Sequence, residues 1–462
     1  MAEERVRRAG APAEAGGAPG EGGGGPPPGP RGLPLVGCGP AFARDQLGFL
    51  TSLHRRYGGA ATIPLGPRRR LFFFAAPEAV ARILVENARN YTSREVNRPS
   101  MPFLGDGLLN IDAPAHREQR AIVQPAFGRQ RVDASDDLIL GEVDRMLRGW
   151  RAGAALDLHE EMRALTLRIA ALAFLRHDLG DEAADWSRAF DAVIRFQERR
   201  GLARLLEWDV AFLPYGRMRA GERFLDARIE GLIAGRRASG LDRGDVLSLL
   251  LGGPGGTACR QVRDHVVTLL AAGHETTANA LTFAFHLLGR NPEAFRALRA
   301  EIARELVGRP PRAADLPRLP VLDATIRETL RLLPPAWIVG RRAVADDEVC
   351  GHRVPAGGFC VLSQWVTQRS PRYWADPGRF RPERWMPEAQ ARTPTPPHAY
   401  FPFGGGPRMC IGMPFALLEA RIALARILQR FVPEALPGQR LVLQPAVTLR
   451  PVGGTRVRLG AA

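Results

Sequence analysis

No lysine occurs among the 462 residues, so all 64 basic side chains are arginine, against 48 acidic ones and a formal net charge of +16. A surplus of that size ordinarily points to nucleic acid or another acidic partner. With few asparagines and abundant alanine, glycine and proline, it reflects a bias toward GC-rich codons, so nucleic-acid binding is set aside and an acidic protein partner is kept. Cysteine is scarce too: Cys38, Cys259, Cys350, Cys360 and Cys410 are odd in number and unpaired in spacing. That excludes a disulfide framework and implies a reducing, cytoplasmic setting. Cys350, His352 and Cys360 suggest part of a zinc site, but no second Cys or His pair lies nearby at finger spacing. There is no apolar stretch near the start to act as a secretory signal or membrane anchor. The most apolar long segment, residues 261–290, is interrupted by Gly273, His274, Glu275, Thr276, Thr277 and Asn279, which excludes a membrane span.

What is present centres on one cysteine. Phe401-Pro402-Phe403-Gly404-Gly405-Gly406-Pro407-Arg408-Met409-Cys410-Ile411-Gly412 is a glycine-rich turn, followed by Pro414 and the helix-period residues Phe415, Leu418, Ile422, Ala425 and Leu428. Cys410 is therefore expected at or just before a helix N-terminus, where unpaired N–H groups and the helix dipole favour a thiolate. Gly404, Gly405 and Gly406 lack a Cβ, so the backbone can close around a large bound group and aim donors at the sulfur. A lone cysteine is more often a buried structural residue, but this one reads as a nucleophile or a metal ligand.

The pattern Phe403-x-x-Gly406-x-Arg408-x-Cys410-x-Gly412 resembles the heme-ligand signature of the cytochrome P450 family. The resemblance implies heme b (iron protoporphyrin IX) with Cys410 as its axial thiolate, which favours O–O cleavage. It makes Phe403, Gly404 and Arg408 cofactor-binding, with Arg408 pairing a propionate. His116 and Arg120, four apart and so on one helix face, are similar to the propionate-binding His-x-x-x-Arg of bacterial members. Arg341 is the further propionate partner implied, with Arg342 as the alternative.

Ala272-Gly273-His274-Glu275-Thr276-Thr277 looks like the family's oxygen-binding segment. Gly273 would make room for dioxygen. Thr276 can donate a hydroxyl proton, and Glu275 is the acid that recharges a relay. Glu328-x-x-Arg331 precedes Phe380-Arg381-Pro382-Glu383-Arg384-Trp385, and the family joins Glu328, Arg331 and Arg384 into a buried network bracing the heme core. Gln368 and Ser370 stand where many relatives have His and Asp, which puts hydrogen bonding at the heme edge in question.

In chain order, residues 1–31 are Gly/Pro-rich and expected to be disordered, and residues 32–462 form a single heme-thiolate domain. Residues 42–57 predict a helix. Residues 61–66 and 71–75 predict a hairpin in a small β-rich corner, and residues 79–85 a further helix. An irregular connection spans 91–111. A helical region over 131–240 breaks at Gly180, Pro214 and Gly240, with the arginine-rich residues 195–204 as a solvated face. The fold class is mainly α with a small β-rich subdomain, and the run over 261–290 predicts a central helix ~45 Å long lying over the heme. The resemblance places Phe103, Leu104, Leu108, Leu109, Ala272, Ala336, Trp337, Ile338 and Val339 in the substrate pocket.

These readings imply a soluble bacterial heme-thiolate monooxygenase of natural-product type, taking a hydrophobic small molecule such as a terpenoid, a polyketide or a fatty acid. No flavin or nicotinamide domain is visible, so a separate ferredoxin or flavodoxin with its reductase supplies electrons. Two rivals stay open. One is a peroxide-using or non-oxygenating heme-thiolate protein; the other is a thiol enzyme using Cys410 without heme, for which no His partner is evident.

Overall fold

The computed structural model describes residues 24–67, 69–197, 214–253, 259–453 and 455–461. Residues 24–31, expected to be disordered, instead lie along the small β region. Thr62 donates from its N–H to the Pro28 carbonyl at 2.9 Å and from its hydroxyl to the Pro27 carbonyl at 2.6 Å, and the Arg353 N–H donates to the Gly25 carbonyl at 3.0 Å. Prolines have no N–H to leave unpaired, so they suit an edge where only acceptors are needed. The disorder expected for residues 1–23, and the part of 195–204 beyond 197, lie outside the described residues.

Helices dominate, and turn chemistry explains their ends. Asp45 caps Gln46–Tyr57 by accepting from the Gly48 N–H at 2.9 Å. It thereby splits the single helix expected over 42–57 into Gly39–Arg44 and Gln46–Tyr57. Asp157 caps Leu158–Leu175 in the same way, accepting from the N–H groups of His159 and Glu160. Proline opens Pro214–Ser239 and Pro320–Leu332, where its missing donor costs nothing. Gly180 and Gly240 adopt φ of +49° and +62° at the expected breaks.

The central helix runs Cys259–Arg290, 32 residues and about 48 Å long. It is buried over most of its length, from Val262 to Leu288. Buried threonines within it return their hydroxyl protons to the helix: Thr268 donates to the Asp264 carbonyl at 2.7 Å and Thr282 to that of Ala278 at 2.8 Å. Leu158–Leu175 packs along it, and Met413–Arg430 and Pro320–Leu332 close the core beneath it. Among the described residues no helix is long and apolar enough to cross a membrane.

The β-rich corner is a five-stranded sheet ordered Ala60–Pro64, Arg70–Phe74, Phe359–Leu362, Val339–Ala343, Tyr91–Thr92. Only the pairing of Arg70–Phe74 with Phe359–Leu362 is parallel. Its apolar residues Phe72, Phe74 and Leu362 form a second core with Val80 and Leu84 of the helical segment 77–86 and with Phe401, the start of the cysteine segment. A hairpin of Val442–Pro445 and Leu449–Val452 and a sheet of Ala155–Asp157, Phe431–Ala435 and Arg456–Ala461 complete the described strands outside a small Asp347–Val349/His352–Val354 pair. The hairpin and the three-stranded sheet had no clear signal in the sequence.

Candidate functional site

Cys410 lies three residues before Met413–Arg430, and its N–H donates to the Phe403 carbonyl at 2.9 Å. That bond closes the turn from Phe403 to Cys410 into a loop. The donors aimed at the sulfur are the N–H groups of Gly412 and Met413 rather than those of Gly404 to Gly406. Gly406, at φ +64°, instead lets the loop meet the Leu84 carbonyl, where a Cβ would collide with it. Burial pushes the Cys410 thiol up, outweighing the two N–H donors and Arg120, which pull it down. The expected helix-end donors do favour the thiolate, but burial outweighs them, an imbalance that a cationic partner at the sulfur would offset.

Cys410 is nonetheless accessible on one side. Ala272 is likewise exposed, and Gly273 and Thr276 partly so, although they sit mid-way along a buried helix. An aromatic path joins the two places. Phe174 lies 3.3 Å from the Cβ position of Gly273, and its ring centroid is 5.4 Å from that of Phe415 and 5.5 Å from that of Phe127. Phe127 is in turn 3.7 Å from the Cβ position of Gly412, itself 4.0 Å from the sulfur. The cysteine loop and the Ala272–Thr276 stretch are thus linked through the rings of Phe127 and Phe174. The side on which Gly273 lacks an atom is filled by Phe174, so this glycine admits a neighbouring helix rather than dioxygen.

Beside the cysteine loop lies a cationic cluster. His116 and Arg120 share one face of Ala115–Val123, and Arg408 and Arg341 approach from the cysteine loop and the sheet. Burial, then Arg408 and Arg120, push His116 down to about 4. Burial, then Arg408, push Arg341 down to about 10. Arg408 is also lowered, chiefly by burial. Asp112 supplies a counter-charge, accepting from Arg408 at 2.9 Å as well as from the N–H groups of Ser93 and Arg94 at 2.9 and 3.0 Å. Sequence reasoning missed Asp112, whose only trace is its place four residues ahead of His116. Three guanidiniums and an imidazole around one carboxylate are short of negative charge. A dianionic group with an iron for the sulfur fits both deficits, which heme satisfies and a bare thiol nucleophile does not.

Glu275 faces the other way. It is buried, and burial raises its pKa against the opposing pull of Arg450, whose guanidinium is 3.9 Å away, and of the Thr448 hydroxyl. It borders a polar cavity of about 100 Å³ shared with His159, Arg163, Asp191 and Arg450. Thr276, the next residue, donates its hydroxyl to the Ala272 carbonyl at 2.7 Å.

Of the expected pocket residues, Ala336, Ile338 and Val339 are partly accessible, whereas Leu104 at 1% and Trp337 at 2% are closed into the core. These two support the wall from behind, a correction to their expected direct contact. Phe103 and Leu108 are nearly closed as well, and Leu109 is exposed at 38%. Their loop rides on the central helix, with Arg263 donating to the Phe103 carbonyl at 2.9 Å.

Glu328 accepts from Arg331 through two bonds of 2.8 Å, from Arg384 at 3.0 Å, from Trp385 Nε1 at 2.9 Å and from the Arg381 N–H at 2.9 Å, with Glu328 and Arg331 fully buried. Gln368 bridges this network to the cysteine segment: its amide donates to the Leu330 and Arg331 carbonyls, and its oxygen accepts from the Phe401 N–H at 3.0 Å. Ser370 bonds His54 Nε2 at 2.9 Å. Both departures from the family pattern are thus absorbed by local bonds.

Residues 27–453 match the family model for cytochrome P450. The chain belongs to the cytochrome P450 family. It is a cytochrome P450 monooxygenase, an oxidoreductase of secondary metabolism, and its family membership implies heme with a cysteine thiolate. It is 39% identical to cyclooctatin synthase of Streptomyces melanosporofaciens over 436 residues, covering 91% of this chain and 92% of that one. Identity is 34% to cyclooctat-9-en-7-ol 5-monooxygenase of the same organism (89% and 90% covered) and 32% to pentalenene oxygenase of Streptomyces avermitilis (92% and 93%). Among solved structures, retinoic acid-bound cyanobacterial CYP120A1 superposes with a TM-score of 0.83 at 26% identity, covering 95% of this P450 and all of that chain.

Proposed function

We propose that this P450 binds heme b with Cys410 as the axial ligand and oxygenates a terpenoid. The carrying observation is an accessible Cys410 beside an under-neutralised cationic cluster, linked through Phe127 and Phe174 to the accessible Ala272–Thr276 face. Heme, once bound, supplies dioxygen activation at a thiolate-ligated iron.

The protein's own residues do the rest. Arg408, His116, Arg120 and Arg341 hold the propionates, exchanging mutual repulsion for charge-assisted bonds. Phe403 and Gly404 shield and shape the sulfur side, and Glu328, Arg331 and Arg384 brace the core beneath. Glu275, whose pKa burial raises, is the acid that would recharge the relay, and Thr276 would donate through its hydroxyl. Ala272, Ala336, Ile338 and Val339 offer the substrate an apolar surface with few directing groups, which suits a hydrocarbon skeleton. The names of the three Streptomyces relatives support a terpenoid over a polyketide or fatty acid. Electrons come from a separate ferredoxin or flavodoxin with its reductase, in the cytoplasm, docking through arginines.

The deciding experiment is the spectrum of the dithionite-reduced protein with carbon monoxide, for parent and Cys410→Ser. A strongly red-shifted Soret band in the parent, lost in the variant, is expected. A parent without heme, or one whose band sits at the conventional position, would overturn the reading.

A further inference from the structure

The hairpin Val442–Pro445/Leu449–Val452 plays no part in the motifs above, yet its turn touches two parts of the site at once. On one side, Trp337 Nε1 donates to the Ala446 carbonyl at 3.0 Å, and the Leu449 N–H donates to the Pro335 carbonyl at 2.8 Å. These bonds fasten the turn to the wall segment that carries Ala336, Ile338 and Val339. On the other side, the Thr448 hydroxyl accepts from Asn279 Nδ2 at 3.4 Å and lies within hydrogen-bonding reach of the Glu275 carboxyl. Arg450 brings its guanidinium to 3.9 Å from Glu275 Oε1. It is held there by Gln444 across the hairpin, whose Oε1 accepts from Nε at 3.1 Å and from an Nη at 2.9 Å.

The other charged groups near Glu275 are already committed. From Leu158–Leu175, Arg163 donates to Asp191 at 2.8 Å and to Glu160 at 3.1 Å. His159 meets the Thr282 hydroxyl at 3.2 Å. Asp157 caps its helix, and Arg195 lies 3.6 Å from Asp191. Among the described residues of this shell, the hairpin alone contributes both a hydroxyl and a cation directly to Glu275.

We propose that the hairpin is a positioning device for Glu275: Thr448 and Arg450 hold the carboxyl in place, and the Trp337 to Ala446 bond ties that hold to the wall of the substrate pocket. Displacement of the wall would move Ala446, and with it Thr448 two residues on, so pocket occupancy and the carboxyl's setting are mechanically linked. The assignment of Glu275 as a proton source rests on the monooxygenase reading. The hold itself does not.

Infrared difference titration of the Glu275 carboxyl band, identified by its loss in Glu275→Gln, tests this in the heme-loaded protein with Thr448→Val, Arg450→Met, Thr448→Ser and Trp337→Phe. Both the hydroxyl and the cation favour the carboxylate, so Thr448→Val and Arg450→Met are each expected to move the midpoint upward. Thr448→Ser should restore it, and Trp337→Phe should give a smaller shift of the same sign. Midpoints unchanged in Thr448→Val and Arg450→Met, or a Thr448→Ser that behaves like Thr448→Val, would overturn the proposal. A parent lacking the red-shifted carbon monoxide band would sink the monooxygenase reading while leaving this titration interpretable.

Discussion

Arg120 donates to the carbonyl of Met409 at 2.8 Å, one residue before Cys410 and 289 residues away in sequence. One side chain thus supplies a cation to the propionate cluster and anchors the loop that carries the ligand. A hydrogen bond from a charged donor is worth ~1.5–3 kcal/mol, so Arg120→Ala should weaken heme retention by roughly ten- to a hundredfold. Transfer of heme to excess apomyoglobin reads this directly; a transfer rate equal to the parent's would remove Arg120 from the site.

Arg341 tests the charge deficit from the opposite direction. Burial and Arg408 disfavour its charged form, so without heme this guanidinium costs stability. Arg341→Ala should therefore stabilise the apoprotein by on the order of 1–3 kcal/mol while weakening its hold on heme. Denaturant unfolding of the apoprotein gives the first sign and heme transfer the second. Destabilised apoprotein would mean the cluster is already balanced.

Much of this site was legible because its signals are local. Phe403, Arg408 and Cys410 lie within one turn, and His116 and Arg120 within one helical repeat. Pro214, Gly240 and the central helix fell where proline, glycine and period place them. The partners that set the electrostatics were not legible. Asp112 meets Arg408 across 296 residues, and Thr448 and Arg450 reach Glu275 from a hairpin whose sequence carries no chemical pattern. The sign of the Cys410 shift was misread for the same reason: helix-end donors can be read from sequence, but the burial that outweighs them belongs to the assembled core. Leu104 and Trp337 show the limit for pockets, where an apolar residue can line a space or stand behind it.

Acid should loosen this fold through its buried imidazoles. Burial pushes His159 down to about 3 and His265 down to about 4, against about 6.5 in the unfolded chain. The unfolded state therefore binds protons first. The stability these neutral rings contribute is whole above pH ~6.5 and drains away as pH falls toward ~4. His265 Nε2 lies 3.1 Å from Gln119 Oε1, and His265→Gln removes the titrating ring. Denaturant midpoints between pH 7 and 4 should show a slope shallower by about one proton in that variant; an identical slope would refute the assignment.

Glu328 holds five hydrogen bonds at zero exposure. Replacing it with alanine leaves Arg331 buried without its counter-ion, at a typical loss of ~3–5 kcal/mol. Glu328→Ala should fail to incorporate heme, and Glu328→Gln, which keeps some of the acceptors but not the charge, should fall between. Recovery of Glu328→Ala with parental heme content and melting temperature would show that the network is dispensable.

Thr276 separates the proposed oxygenase from a peroxide-using relative. Its hydroxyl, one residue on from Glu275 in the chain, donates to the Ala272 carbonyl. Thr276→Ala removes the relay but leaves the cysteine loop, the cationic cluster and the Glu328 network untouched, so heme content and the carbon monoxide spectrum should match the parent. Product formed per dioxygen consumed should then fall, with hydrogen peroxide rising in its place, and turnover supported by reductant should drop by ~100-fold at the scale of one lost acid–base group. Turnover supplied with hydrogen peroxide, which brings its own protons, should fall far less. If both routes are unaffected, proton delivery does not pass through Thr276; if only the peroxide route was ever productive in the parent, the dioxygen reading itself is displaced.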